Sequence, residues 1–157
     1  MKSRTIVLAL AAALGIAWVG VGTTWAQDAM AVITKRQDTM KAQGKAFGAI
    51  KAFTEDKGDL AAAQAGGAEL VKTVATIPSL FPPKTGMAEY AGKSYAKPEI
   101  WAQWDKFNDA VKGAQAKAEA LNTALKGGDK AAITAAFGAM GKDGCGGCHT
   151  PFREKKA

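Results

Sequence analysis

Apolar residues recur along this chain at helical spacing. From Ala29 to Thr54, Ile33, Met40 and Phe47 stand seven positions apart, with Gly44 and Ile50 on the same stripe. A second stripe follows Asp59, a residue suited to capping a helix, and runs through Leu60, Ala63, Gly67, Leu70, Val74 and Ile77 until Pro78 stops it. The third pattern is the clearest: Ile100, Trp104, Phe107, Val111, Ala114, Ala118, Leu121 and Leu125 alternate steps of four and three. Gly127 and Gly128 end it. Asp129 then caps a fourth stripe through Ile133, Phe137, Met140, Gly144 and Cys148. No window alternates apolar and polar positions as a strand does, and no Asn-Gly hairpin signal occurs.

Short links join the first two helices and the last two, so these neighbours are expected to run antiparallel. The stretch 78–97, with Pro82, Pro83, Gly86 and Gly92, is a longer connection expected to pass outside the bundle. The predicted fold is all-α, an antiparallel up-down-up-down four-helix bundle. Alanine is abundant on the stripes, so the helices can approach closely while each buries little side-chain area. A further group is expected to help fill the interior.

A length of 157 residues suits one domain, and 48% apolar content excludes wholesale disorder. Two cysteines cannot make a disulfide scaffold, and the single histidine excludes any site needing two imidazoles. Lys2 and Arg4, an apolar run from Ile6 to about Val21, and small residues Thr24 and Ala26 form the three parts of a secretory leader. That run, about 16 residues, falls short of the ~20 needed to cross a bilayer. Residues 1–26 are therefore read as a signal peptide cleaved after Ala26, and 27–157 as a soluble domain exported to the periplasm. Lysine excess gives the whole chain a charge of +7. Export separates the protein from nucleic acid, and no second apolar stretch of membrane length follows.

Cys145-Gly146-Gly147-Cys148-His149 carries the chemistry. Cys-x-x-Cys-His is the attachment sequence for c-type haem. On a helix, thiols three residues apart share a face, where each can add to a vinyl group of the porphyrin. The imidazole four residues after the first thiol lies on that face and can ligate iron. A structural zinc site would need a fourth ligand. A thioredoxin-type pair normally opens a helix after a strand, whereas this pair closes the last helix of an all-α chain. A disulfide between residues three apart on a helix would be strained.

The chain resembles the class II c-type cytochromes, the cytochrome c′ family, and most of all their low-spin c-556 type. The residues that carry the likeness are Arg36 with Met40 four positions on, Leu80-Phe81-Pro82, Pro98-Glu99-Ile100-Trp101, and Cys145 to His149 continuing into Phe152-Arg153. It covers essentially all of residues 27–157. Pro151 departs from the pattern, and its missing donor is expected to bend the helix after His149. The resemblance implies one covalently bound haem c per chain, with thioethers at Cys145 and Cys148 and His149 on the iron. At the Met40 position it implies either a methionine ligand, as in the c-556 type, or an apolar guard over open iron. Open iron is the arrangement of cytochromes c′, which bind nitric oxide or carbon monoxide.

The candidates for a sixth ligand are Met30, Met40, Met87, Met140 or none. Met140 precedes His149 on one helix by ~13 Å, Met87 lies in the connection, and Met30 sits at a helix start prone to fraying. Met40 is on the inward stripe, ~15 Å along the first helix. As a ligand it leaves no position for substrate. The protein is then a carrier of single electrons and not an enzyme, meeting redox partners that bear acidic docking patches, as a monomer or a homodimer. As a packing residue or guard it leaves the iron open to diatomic gases. Arg36, one turn away, contacts a haem propionate if similar proteins are a guide, or else stands solvated. Arg153 lies near the proximal edge or frays, while Trp101, Trp104 and Phe107 serve as ordinary core or as porphyrin wall. Gly44 leaves room for a haem face or for a neighbouring helix.

Overall fold

The structure is a computed structural model that describes residues 21–155, with side chains placed from Asp28 onward. Residues 1–20 of the expected leader lie outside the described residues; α1 runs unbroken from Val21 across the expected cleavage point. Helix α1 spans Val21–Thr54 and α2 spans Leu60–Val74, followed by a 3-10 turn at Ile77–Leu80. After the connection come α3 (Glu99–Ala102) and α4 (Trp104–Gly127). The last arm contains α5 (Lys130–Ala139), a π-helical segment (Met140–Cys145) and α6 (Gly146–Phe152).

The boundaries follow the expected local chemistry. Asp59 and Asp129 each accept a hydrogen bond from the backbone N–H three residues on, at 2.7 Å, and so cap α2 and α5. Gly128 turns the chain after α4 with φ at 76°, a left-handed conformation that costs glycine nothing.

Four long arms pack antiparallel around one core: α1, α2, α4 and the α5-to-α6 arm. Close contact between α1 and α2 centres on Gly66, which lies against the Ala46 carbonyl. Gln64 Nε2 donates to the Leu125 carbonyl at 2.9 Å and ties α2 to α4. Phe47 stacks on Phe137 with ring centres 4.1 Å apart, joining α1 to α5, and Lys130 pairs with Asp56 at the same end. Ile33, Ile50, Leu70, Leu121, Leu125 and Ile133 are fully buried, all on the predicted stripes. Among the described residues no helix is long and apolar enough to cross a membrane.

The structure corrects several expectations. The third helix is interrupted at Gln103, and Trp104 packs its ring on Phe107 at the core's rim while staying 37% exposed. Pro151 does not end the helix after His149. It sits inside α6, which closes only when the Arg153 N–H donates to the His149 carbonyl. The irregularity lies before the motif, in the π-helical turn. The 78–97 connection does not simply pass outside the bundle, because Phe81, Thr85, Ser94 and Ala96 are buried. Its end is laced to the C-terminus: Lys97 N–H donates to Phe152, and Glu154 N–H donates to Tyr95. Gly44 is exposed, and a Cβ there would meet nothing within 4 Å, so it makes room neither for a neighbouring helix nor for a cavity wall.

Candidate functional site

A cavity of about 410 Å³ opens between the arms. On α1, Arg36, Met40 and Gln43 line it, at steps of four and three that set them on one face. Val74, Ile77 and Phe81 supply one apolar wall, and Ile100, Phe107 and Ala114 another. Phe107 joins these walls through edge-on contacts with Phe81 (4.9 Å) and Phe152 (5.4 Å). The last arm contributes Met140, Gly144, Cys145, Cys148 and His149. The pentapeptide that carries the chemistry thus faces the same space as Met40 and Arg36.

The π-helical turn sets the angle of that pentapeptide. Gly146 N–H donates to the Gly141 carbonyl, five residues back, which widens the turn and rotates Cys145–His149 relative to α5. Glycines make the wide turn affordable. A Cβ on Gly144 would lie 2.7 Å from the Met140 sulfur, and one on Gly141 would lie 3.2 Å from the Phe47 ring. The run of glycines at 141, 144, 146 and 147 was the sequence signal for this feature, and helical periodicity overlooked it.

Cys145 and Cys148 are half-buried and form no disulfide. Burial pushes the Cys148 thiol up to about 11, with Cys145 beside it adding to the effect, and burial also raises Cys145. Redox-active and metal-binding pairs work as thiolates and lower these values instead. Among the described residues no group of three or more His, Cys, Asp and Glu side chains is arranged to hold a metal ion. Burial, and then the Arg153 charge, hold His149 below its ordinary range, so the ring is neutral and has a lone pair to give. Arg153 Nη1 stands 3.4 Å from His149 Nδ1, so this arginine lies beside the imidazole.

Arg36 is only 5% exposed, which removes the solvated alternative. Its Nη2 donates to the Thr85 carbonyl at 2.7 Å and to Ser94 Oγ at 3.0 Å, and Nη1 reaches the Leu80 carbonyl at 3.3 Å. The guanidinium also lies over the Phe81 ring at 4.5 Å. Burial lowers its pKa to about 10, so it stays charged at neutral pH. All its hydrogen-bond partners are neutral oxygens. A buried cation so placed favours a carboxylate arriving with whatever fills the cavity.

Not every sequence candidate reaches the site. Trp101 donates its indole N–H to the Phe81 carbonyl and covers Gly86 instead of lining the cavity. Met30 and Met87 are absent from the walls, whereas Met140 is buried in them. Ser94 and Tyr95 were missed because the connection was read as an outside loop. Two thiols, a neutral imidazole, apolar walls and one buried cation together fit a flat apolar macrocycle that carries a metal and acidic side groups.

Comparison with known proteins agrees with that chemistry. A family model described as "Cytochrome C'" matches residues 31–153. Cytochrome c′ of Pararhodospirillum photometricum is 37% identical over 79% of this chain and 97% of its own length. Among solved structures, the nitric oxide complex of a leucine-to-alanine mutant of cytochrome c prime from Alcaligenes xylosoxidans is 27% identical. Its TM-score is 0.71, over 82% of this chain and 97% of that one. An NMR-validated structural model of oxidised cytochrome c556 from R. palustris is 28% identical, with a TM-score of 0.70 over 80% and 98% of the two chains. Four-helix bundle, Cys-x-x-Cys-His motif and matched length converge, and the chain belongs to the cytochrome c′ family, whose members carry covalently attached haem c.

Proposed function

We propose that this protein is an exported, periplasmic haem protein that binds nitric oxide or carbon monoxide. Cys145 and Cys148 form the thioethers, His149 holds the iron, and the gas binds on the side of Met40. The observation that carries this is the cavity lining, which offers a single imidazole on α6 and, from α1, the thioether of Met40. The relatives' name supports it, as does the likeness to a leucine-to-alanine mutant of cytochrome c prime solved as its nitric oxide complex. When bound, the haem supplies an iron centre that takes up diatomic ligands and changes oxidation state by one electron. The chain's own residues do the rest. The half-buried, neutral His149 ring would give its lone pair to the iron. Phe81, Phe107 and Phe152 keep the pocket apolar, and Met40 restricts what fits beside the iron. Arg36 offers its buried charge to an acidic side group of the cofactor.

The alternative is the single-electron carrier expected from the sequence, with Met40 sulfur as a permanent sixth ligand and acidic redox partners. The likeness to cytochrome c556 favours it; the curated relatives are all named cytochrome c′, and this favours the gas-binding reading. The test is the visible spectrum of the ferrous protein with and without carbon monoxide. A high-spin spectrum that changes on adding the gas is the expected result. A six-coordinate low-spin spectrum unmoved by carbon monoxide would establish the electron carrier in its place.

A further inference from the structure

The cavity-facing stripe of α1 holds Arg36, Met40 and Gln43. The first two have roles; Gln43 has none yet. Its Nε2 is buried and has no hydrogen-bond partner. Buried amide donors are almost always satisfied, and one left without an acceptor calls for a cause. An apolar residue would build this wall at less cost, as Met40 does one turn earlier. Neighbouring polar groups on α1 are already engaged elsewhere: Gln37 donates to the Lys93 carbonyl, and Lys41 pairs with Asp38. Gln43 lines the cavity, so an acceptor can reach its amide with the cavity's contents.

Two kinds of oxygen could enter. Carboxylates of the cofactor belong with Arg36, roughly 10 Å back along α1, where exposed Gln37 and Arg153 give the cavity a polar edge. Gln43 lies on the other side of Met40, one turn before Phe47, whose ring stacks on Phe137. What remains for it there is the ligand itself. We propose that the Gln43 amide donates its Nε2–H to the oxygen of the diatomic ligand held beside Met40. This rests on the gas-binding function proposed above and makes Gln43 a specificity residue, favouring ligands with an accepting oxygen.

The test uses the ferrous holoprotein and carbon monoxide, with Gln43→Leu as the near-isosteric apolar variant and Gln43→Met as a second should the first fold poorly. A donated hydrogen bond polarises the bound gas and holds it. The carbon monoxide stretch in the infrared is expected to move to higher wavenumber in the variant, and the gas to leave on the order of fivefold faster. The spectrum without gas is expected to stay unchanged. Wild type and variant sharing one stretch and one dissociation rate would overturn the role of Gln43 and leave gas binding standing. A wild type that takes up no carbon monoxide would overturn both.

Discussion

Arg36 on α1 donates a 2.7 Å hydrogen bond to the carbonyl of Thr85, which lies in the connection that leads to α3. The same guanidinium holds Ser94, and Ser94 Oγ in turn donates back to the Thr85 carbonyl at 3.0 Å. One side chain thus pins a segment that would otherwise hang outside the bundle, and this segment walls the cavity with Ser94, Tyr95 and Ala96. Arg36→Ala leaves two carbonyls and a hydroxyl buried without their charged donor and is expected to cost about 3 kcal/mol. Arg36→Lys should recover only part of this, because an ammonium cannot reproduce the fork. Denaturant unfolding of the holoprotein measures the loss, and hydrogen exchange of residues 81–96 locates it. A stable Arg36→Ala protein with that segment still protected would show the clasp to be idle.

Met40 is half-buried on the cavity wall. If it guards open iron, Met40→Ala keeps the high-spin ferrous spectrum and lets carbon monoxide bind several-fold faster, since a bulky side chain has left the ligand's path. The truncation should cost about 1–2 kcal/mol, below the range for fully buried methionines. A change from low spin to high spin in the variant would instead put the Met40 sulfur on the iron.

Much of this was legible in the sequence because it depends on periodicity and local chemistry. The α4 stripe from Phe107 to Leu125 is buried residue for residue, and the caps at Asp59 and Asp129 lie where short acceptors precede apolar runs. Cys145, Cys148 and His149 were singled out by spacing, and all three line the cavity. What escaped depends on contacts across long sequence separations. Arg36 meets Thr85 and Ser94 at 49 and 58 residues' distance, and no local pattern announces such a partner. The π-helical turn also escaped, because one inserted residue shifts phase without breaking the apolar pattern. Trp104 shows the opposite failure: it keeps the α4 period and sets its ring 5.4 Å from Phe107, yet as the first residue of α4 it stays 37% exposed.

Thioethers at Cys145 and Cys148 imply that haem cannot be extracted by acidified organic solvent. Replacing either cysteine with serine should leave one thioether and shift the pyridine haemochrome band, with colour still retained in the protein. Replacing both should let all the colour wash out. His149→Ala should leave the thioethers in place and abolish the spectrum of a histidine-bound iron. Colour lost from the wild type under acid would refute covalent attachment.

Adjacent glycines on α2 give a test of packing that does not involve the cofactor. A Cβ at Gly66 would stand 2.7 Å from the Ala46 carbonyl oxygen and 3.4 Å from Ile50, so α1 itself would have to move away. A Cβ at Gly67 would meet Leu125 Cδ1 at 2.5 Å and Asn122 Oδ1 at 3.2 Å, both side-chain ends that can rotate aside. Alanine gains about 1 kcal/mol of helix propensity at either site, while backbone overpacking costs about 1–3 kcal/mol. Gly66→Ala should therefore be a net loss of about 1 kcal/mol or more, because a backbone carbonyl cannot yield without opening the α1–α2 contact along its length. Gly67→Ala should come out near neutral, the propensity gain offsetting a small repacking of Leu125. Chemical denaturation of both variants decides it: equal stabilities would mean that α1 and α2 are not pressed together at Ala46, and that the close approach which shapes this half of the bundle is absent.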